Sequence, residues 1–168
     1  MKLRILSVFA AAALLAACET APDSSATSQG EGVSTMNQPA TTTTTSNALS
    51  ESSPEWFAVN VGDRVFFDYD QYDLSAEARR TLELQAAWLK KYPQYTVLVE
   101  GHADERGTRE YNLALGERRA NSSKDYLIAL GVEPSRIETI SYGKERPVAL
   151  GHDDASWSKN RRAVTVVR

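Results

Sequence analysis

The side chains best able to do chemistry are concentrated in one stretch. Glu100-Gly101-His102-Ala103-Asp104-Glu105-Arg106-Gly107-Thr108 is followed by Tyr111-Asn112-Leu113-Ala114-Leu115-Gly116-Glu117-Arg118-Arg119-Ala120. If the second part is helical, Asn112, Leu115 and Arg119 lie within about 60° of one another on the helix surface. Helical side chains lean toward the N-terminus, so Arg119 points back toward the loop that carries Asp104. A carboxylate and a guanidinium then face one cleft, with Leu115 between them. Such a pair has two readings. One is a structural salt bridge. The other is a receptor for a zwitterion, in which a free ammonium finds Asp104 and a free carboxylate finds the Arg119 fork. Either charge alone is costly to desolvate, so the two together select an amino-acid-like ligand end.

Rival chemistries find less support. His102 beside Asp104 and Glu105 could point to a metal, but the chain has one other histidine, His152, no HExxH and a single cysteine. No metal and no cofactor are therefore expected. Asp68 with Asp70, and Asp153 with Asp154, form polar acidic turns, whereas a glycosidase needs one carboxyl with a raised pKa across a groove. There is no GxSxG, and the reading is non-enzymatic. Arg161 and Arg162 fit either an anion site or salt bridges at the start of a strand. The net charge of −3 argues against a nucleic-acid partner.

The elements that must position these groups follow from periodicity. Asp63 to Asp68 predicts a short strand ending in the acidic turn Asp68 to Asp73. Ser75 is a good N-cap for a helix to about Lys91, with Ala78, Leu82, Ala86 and Leu89 on its buried stripe and Pro93 beyond its end. Thr96 to Glu100 is an apolar strand. Arg109 to about Leu130 is a second helix, with Leu113, Gly116, Ala120, Ser123, Leu127 and Leu130 as its expected buried stripe. Gly131 and Pro134 end it. Ile137 to Tyr142 and Arg161 to Val167 are two further strands, the last preceded by a possible helix near Asp153 to Ser158. The order βαβαβ(α)β predicts an α+β, two-layer sandwich with a mixed four-stranded sheet and helices on one face.

The N-terminal third is unlike this domain. Lys2 and Arg4 precede a short apolar run, Ile5 to Ala17, below the roughly 20 residues needed to span a bilayer. Residues 1–17 therefore read as a secretory leader that is removed. Leu15-Ala16-Ala17-Cys18 resembles the lipobox of bacterial lipoproteins, which implies lipidation of Cys18, including a palmitate-type acyl chain, and a durable membrane anchor. Glu19 in place of Asp after the cysteine implies the outer membrane. Between Glu19 and Ser53, 16 residues are Ser or Thr, and Lys, Arg and aromatic residues are absent. Residues 18–53 are expected to be a disordered tether, with a root-mean-square span of roughly 30–35 Å. Residues 54–168 are the expected domain, large enough for one core.

Taken together, Val65-Phe66-Phe67-Asp68, Gly101-His102-Ala103-Asp104, Asn112, Leu115, Arg119-Ala120, Ser141-Tyr142-Gly143 and Asn160-Arg161-Arg162 resemble the OmpA-like peptidoglycan-binding family. The resemblance covers about Asp63 to Arg168. It implies that Asp104 and Arg119 bind the diaminopimelate of the peptidoglycan stem peptide, with Asn112 and Leu115 in the site and Phe67 and Asp68 bordering it. Diaminopimelate keeps an amine and a carboxylate at its far end. The family commonly has Thr where this chain has Ala103, so a loop hydrogen bond is lost. Lipid-anchored members imply a periplasmic tether between the outer membrane and the wall, with TolB and TolA as partners, acting in cell division within the Tol–Pal system. The alternatives are a cell-wall hydrolase and a wall-anchoring scaffold outside that system.

Overall fold

A computed structural model describes residues 49–168. The predicted leader, the lipidation site Cys18 and the tether as far as residue 48 lie outside these residues. Ser53 Oγ accepts from the Trp56 N–H at 3.1 Å and caps a short helix α1, Pro54–Trp56, which widens into a π-helical turn, Phe57–Gly62. This segment was not foreseen, because a single wide turn leaves no repeating hydrophobic pattern. It is held from outside: Phe57 is buried against the Trp88 ring, and the Trp88 indole N–H donates to the Glu51 carbonyl at 2.9 Å.

Strand β1, Arg64–Phe66, is shorter than predicted. Helix α2, Ala76–Lys91, starts as expected, with Ser75 Oγ accepting from the Ala78 N–H at 3.1 Å. Strand β2, Val97–His102, leads through a loop into helix α3, Arg109–Ala129, which Thr108 caps. A 3-10 turn, Pro134–Arg136, precedes strand β3, Ile137–Gly143. Helix α4, Asp154–Asn160, capped by Asp153, leads into strand β4, Arg162–Val167.

The sheet order is β1-β4-β2-β3. Strands β2 and β3 are parallel, as a crossover through α3 requires. Strand β4 runs antiparallel to both β1 and β2. The sheet is therefore mixed and four-stranded, and the fold is α+β, as predicted. Alternation along the strands turns Val65, Val97, Val99 and Ala163 toward α2 and α3, where Leu82, Ala86, Leu89, Ala120 and Leu127 complete the core. The opposite face is open only in part: Phe66, Ile140 and Val166 are exposed, whereas Leu98, His102 and Arg162 are buried. Among the described residues no helix is long and apolar enough to cross a membrane.

Helix α3 keeps most of its predicted stripe: Gly116, Ala120, Ser123 and Leu127 are buried, but Leu113 is exposed, and Asn112, Leu115 and Arg119 join the buried face. Two strongly polar side chains thus sit on the inward face, which a hydrophobic pattern assigns to the border. The helix also lies unusually close to the sheet. A Cβ on Gly101 would fall 1.8 Å from the Gly116 carbonyl oxygen, and a Cβ on Gly116 would fall 2.4 Å from Ser141 Oγ. Glycine at both positions lets backbone meet backbone, which seats the start of α3 directly over the end of β2.

Candidate functional site

Two loops meet at this end of the sheet: the β1–α2 loop, residues 67–75, and the β2–α3 loop, residues 103–108. They enclose a cavity of about 170 Å³. Of the predicted site residues, Asp104, Asn112, Leu115 and Arg119 all line it, together with Tyr69, Asp70, Arg106, Gly107 and Tyr111. The spacing argument therefore brings the two charges to one cavity.

Their partners differ from the simplest expectation. Arg119 is wholly buried and is tied to three carbonyls: its Nε donates to Gln71 at 2.8 Å, Nη1 to His102 at 2.8 Å and Nη2 to Asp68 at 3.1 Å. Its guanidinium also lies 5.2 Å from the centre of the Phe67 ring. Burial, and then the neighbouring Arg161, push its pKa down to about 10, so it stays charged at neutral pH. Five N–H donors minus these three leave two for a ligand. The free Arg119 fork of the sequence reading is corrected to a partly committed one, because three main-chain carbonyls converge on the buried guanidinium.

Asp104 is only 4% exposed and does not pair with Arg119. Its Oδ2 accepts from Arg106 Nη2 at 2.7 Å and faces Arg161 Nη1 at 3.4 Å, while the Arg106 backbone N–H and Nε reach Oδ1 at 3.1 Å each. Burial works against ionisation, but the Arg106 hydrogen bonds outweigh it and hold the carboxyl below the usual range.

The loop carrying Asp104 is braced on several sides. Asn112 Nδ2 donates to the carbonyls of Arg106 at 2.8 Å and Thr108 at 3.0 Å, and Lys144 Nζ donates to those of Glu105 and Gly107. Gly107 takes φ +88°, a left-handed conformation that suits glycine. Ala103 is buried, and its N–H donates to the Gly143 carbonyl at 2.8 Å, so the main chain fixes this position without a side-chain hydrogen bond.

Phe67 and Asp68 play a supporting part. Phe67 is buried, and both residues line a neighbouring cavity of about 440 Å³ with Ser75, Glu77 and Arg161. Arg161 forms the shared wall, since its Nε donates to the Phe67 carbonyl at 3.0 Å while Nη1 faces Asp104. Phe67 and Asp68 therefore border the site through a ring under Arg119 and a carbonyl, and neither lines the Asp104 cavity itself.

His102 points to the open side of the sheet. It is 2% exposed, packs on Tyr142 with ring centres 5.6 Å apart, and neither ring nitrogen has a hydrogen-bond partner. Burial, followed by Arg162 and Arg146, lowers its pKa to about 4, so it is neutral. Among the described residues no group of three or more His, Cys, Asp or Glu is placed to hold a metal.

Sequence reasoning assigned no role to Arg106, Tyr69 or Trp157. The Arg106 guanidinium is stacked between the Tyr69 ring at 4.0 Å and the Trp157 ring at 4.1 Å. The available signal was local: an arginine two positions after a loop aspartate can close an Asx-type turn onto it.

Comparison with known proteins agrees with this architecture. A profile of the OmpA family matches residues 66–161. The peptidoglycan-associated lipoprotein of Rhizobium meliloti (strain 1021) is 59% identical over 120 residues, which is 71% of this chain and 68% of that protein. The peptidoglycan-associated lipoprotein of Pseudomonas aeruginosa is 52% identical over 117 residues, covering 70% of this chain and 69% of that one. Among solved structures, the peptidoglycan-associated lipoprotein from Burkholderia pseudomallei superimposes with a TM-score of 0.65 at 44% identity, over 69% of this chain and all of that one. The C-terminal domain of Helicobacter pylori MotB shares the fold, with a TM-score of 0.59 at 23% identity over 63% of this chain and 84% of that one. A cavity framed by the ends of β1 and β2 and roofed by α3 thus sits in a familiar setting: the chain belongs to the OmpA family.

Proposed function

We propose that this protein is a non-enzymatic outer-membrane lipoprotein that grips peptidoglycan through the diaminopimelate of the stem peptide. One observation carries the reading: a single cavity has a buried carboxylate, Asp104, and a buried guanidinium, Arg119, on its walls without the two pairing with each other. A zwitterionic amino-acid end brings the complement of both charges. Leu115 between them suits the methylene chain behind that end. The names of the relatives, peptidoglycan-associated lipoproteins, support the same ligand.

In this reading residues 1–17 are a removed leader, Cys18 carries the lipid, and residues 18–53 are the leash from the outer membrane to the wall-binding domain. Attachment is reversible, because it rests on charge-assisted hydrogen bonds and no covalent link. TolB and TolA are the proposed protein partners, and the task is to keep the envelope intact and draw the outer membrane inward at division.

Calorimetry against a diaminopimelate-containing stem peptide tests the core of this. Asp104→Asn keeps the shape and removes the charge. A hydrogen bond to a charged group contributes roughly 1.5–3 kcal/mol, so affinity should fall by at least about tenfold. Unchanged affinity would return Asp104 to a purely structural role.

A further inference from the structure

The Asp104 carboxylate is saturated before any ligand arrives. Its two oxygens accept from the Arg106 backbone N–H, Arg106 Nε and Arg106 Nη2, and face Arg161 Nη1. An ionised carboxylate offers about four lone-pair positions, so an incoming ammonium finds none open. One donor must leave. The Arg106 backbone N–H is fixed by the loop. Arg161 is largely buried and also bonded to the Phe67 carbonyl. The Arg106 side chain is the donor with a way out: it is 30% exposed, against 5% for the Asp104 side chain it covers. Its guanidinium lies between the faces of Tyr69 and Trp157, and the Trp157 indole N–H is pinned to Glu105 at 2.8 Å.

We propose that Arg106 determines the specificity of this cavity: it is a built-in cation that holds Asp104 until a ligand ammonium replaces it. The inference rests on the stem-peptide reading and adds the condition for admission. A ligand without a cation can displace Arg106 only by leaving a buried carboxylate poorly compensated, which costs more than the new contacts return. A ligand with an ammonium exchanges one ion pair for another. The displaced guanidinium leaves its place over Trp157, so the indole reports the exchange.

The test titrates the full-length chain with the tripeptide L-Ala-γ-D-Glu-meso-diaminopimelate and with the same tripeptide acetylated on its far amine. Binding is read by calorimetry and by Trp157 emission, with Trp157→Phe as the blank for Trp56 and Trp88. The unmodified tripeptide should change Trp157 emission with the calorimetric midpoint, and the acetylated one should do neither. Arg106→Gln should bind the unmodified tripeptide about three- to tenfold tighter, because Asp104 no longer has to give up a charged partner. Arg106→Lys, a cation without the fork, should fall between. If Arg106→Gln fails to fold, wild-type emission decides alone. Calorimetric binding with silent Trp157, or weaker binding by Arg106→Gln, overturns the exchange and leaves the stem-peptide reading standing. Equal binding of the acetylated peptide, or absence of calorimetric binding to the wild-type chain, sinks both.

Discussion

Replacing Arg119 by alanine should unfold this domain far more readily than an ordinary binding-site change. The guanidinium ties the carbonyls of Asp68 and Gln71 in the β1–α2 loop to that of His102 at the end of β2. Truncation removes a donor from each, but the Asp68 carbonyl still accepts from the Gln71 N–H at 3.2 Å, so Gln71 and His102 lose most. Each of those two costs about 1–3 kcal/mol when left unsatisfied, and water admitted by the missing side chain brings them toward the low end, about 3 kcal/mol together. Loss of the guanidinium's contact with the Phe67 ring adds about 1 kcal/mol. A total near 4 kcal/mol is a large share of a typical 5–15 kcal/mol stability. For a domain of this size it lowers the melting temperature by about 15 °C. Thermal unfolding followed by circular dichroism measures this directly. Asp104→Asn is the control, because it loosens an ion pair with a partly exposed partner and should cost about 1 kcal/mol. A melting temperature for Arg119→Ala within about 3 °C of wild type would refute the argument, since it would mean the Gln71 and His102 carbonyls need no donor.

Two further outcomes follow from other parts of the fold. Gly101→Ala places a Cβ 1.8 Å from the Gly116 carbonyl oxygen, a backbone atom that cannot rotate away, so α3 must retreat. The expected cost is about 3 kcal/mol or more, read as a lower urea midpoint, and an unchanged midpoint would contradict the close seating. His102 has its pKa lowered to about 4 by burial, then by Arg162 and Arg146, from an ordinary 6.5. The unfolded chain therefore binds the proton first, so this group's stabilisation is complete above about pH 6.5 and is lost as pH falls toward about 4, by at most about 3 kcal/mol. His102→Leu should flatten the stability profile in that window, and a variant that keeps the wild-type slope there would clear His102 of the effect.

The fold was legible wherever local chemistry and periodicity agreed. Ser75 and Thr108 cap α2 and α3, Ala78, Leu82, Ala86 and Leu89 are buried, and the strands keep their predicted places within a few residues. The inward face of α3 was less legible, because Asn112 and Arg119 bind main-chain carbonyls there and so break the hydrophobic pattern. The cavity was legible as a set of residue types at helical spacing. Which charges occupy one another was not, since that depends on Arg106 folding back over Asp104 and on Trp157, which α4 supplies from the far end of the sequence. The π-helical turn after α1 left no pattern at all. Its anchors are side chains of α2: Trp88 against Phe57, and Gln85, whose Nε2 donates to the Gly62 carbonyl at 2.7 Å.

The position of β4 governs how the domain can assemble. Strand β1 is an edge strand whose pairing runs from Arg64–Phe66 to Arg162–Val164, almost the full length of the domain away, and β4 then separates it from β2. A chain emerging amino end first can form α2 and the β2–α3–β3 unit early, but the sheet stays split until β4 arrives. Completion of the sheet is thereby deferred until residues 162–167 are available. Until then β1 has no neighbour in the sheet, and deletion of residues 162–168 would take away its partner strand.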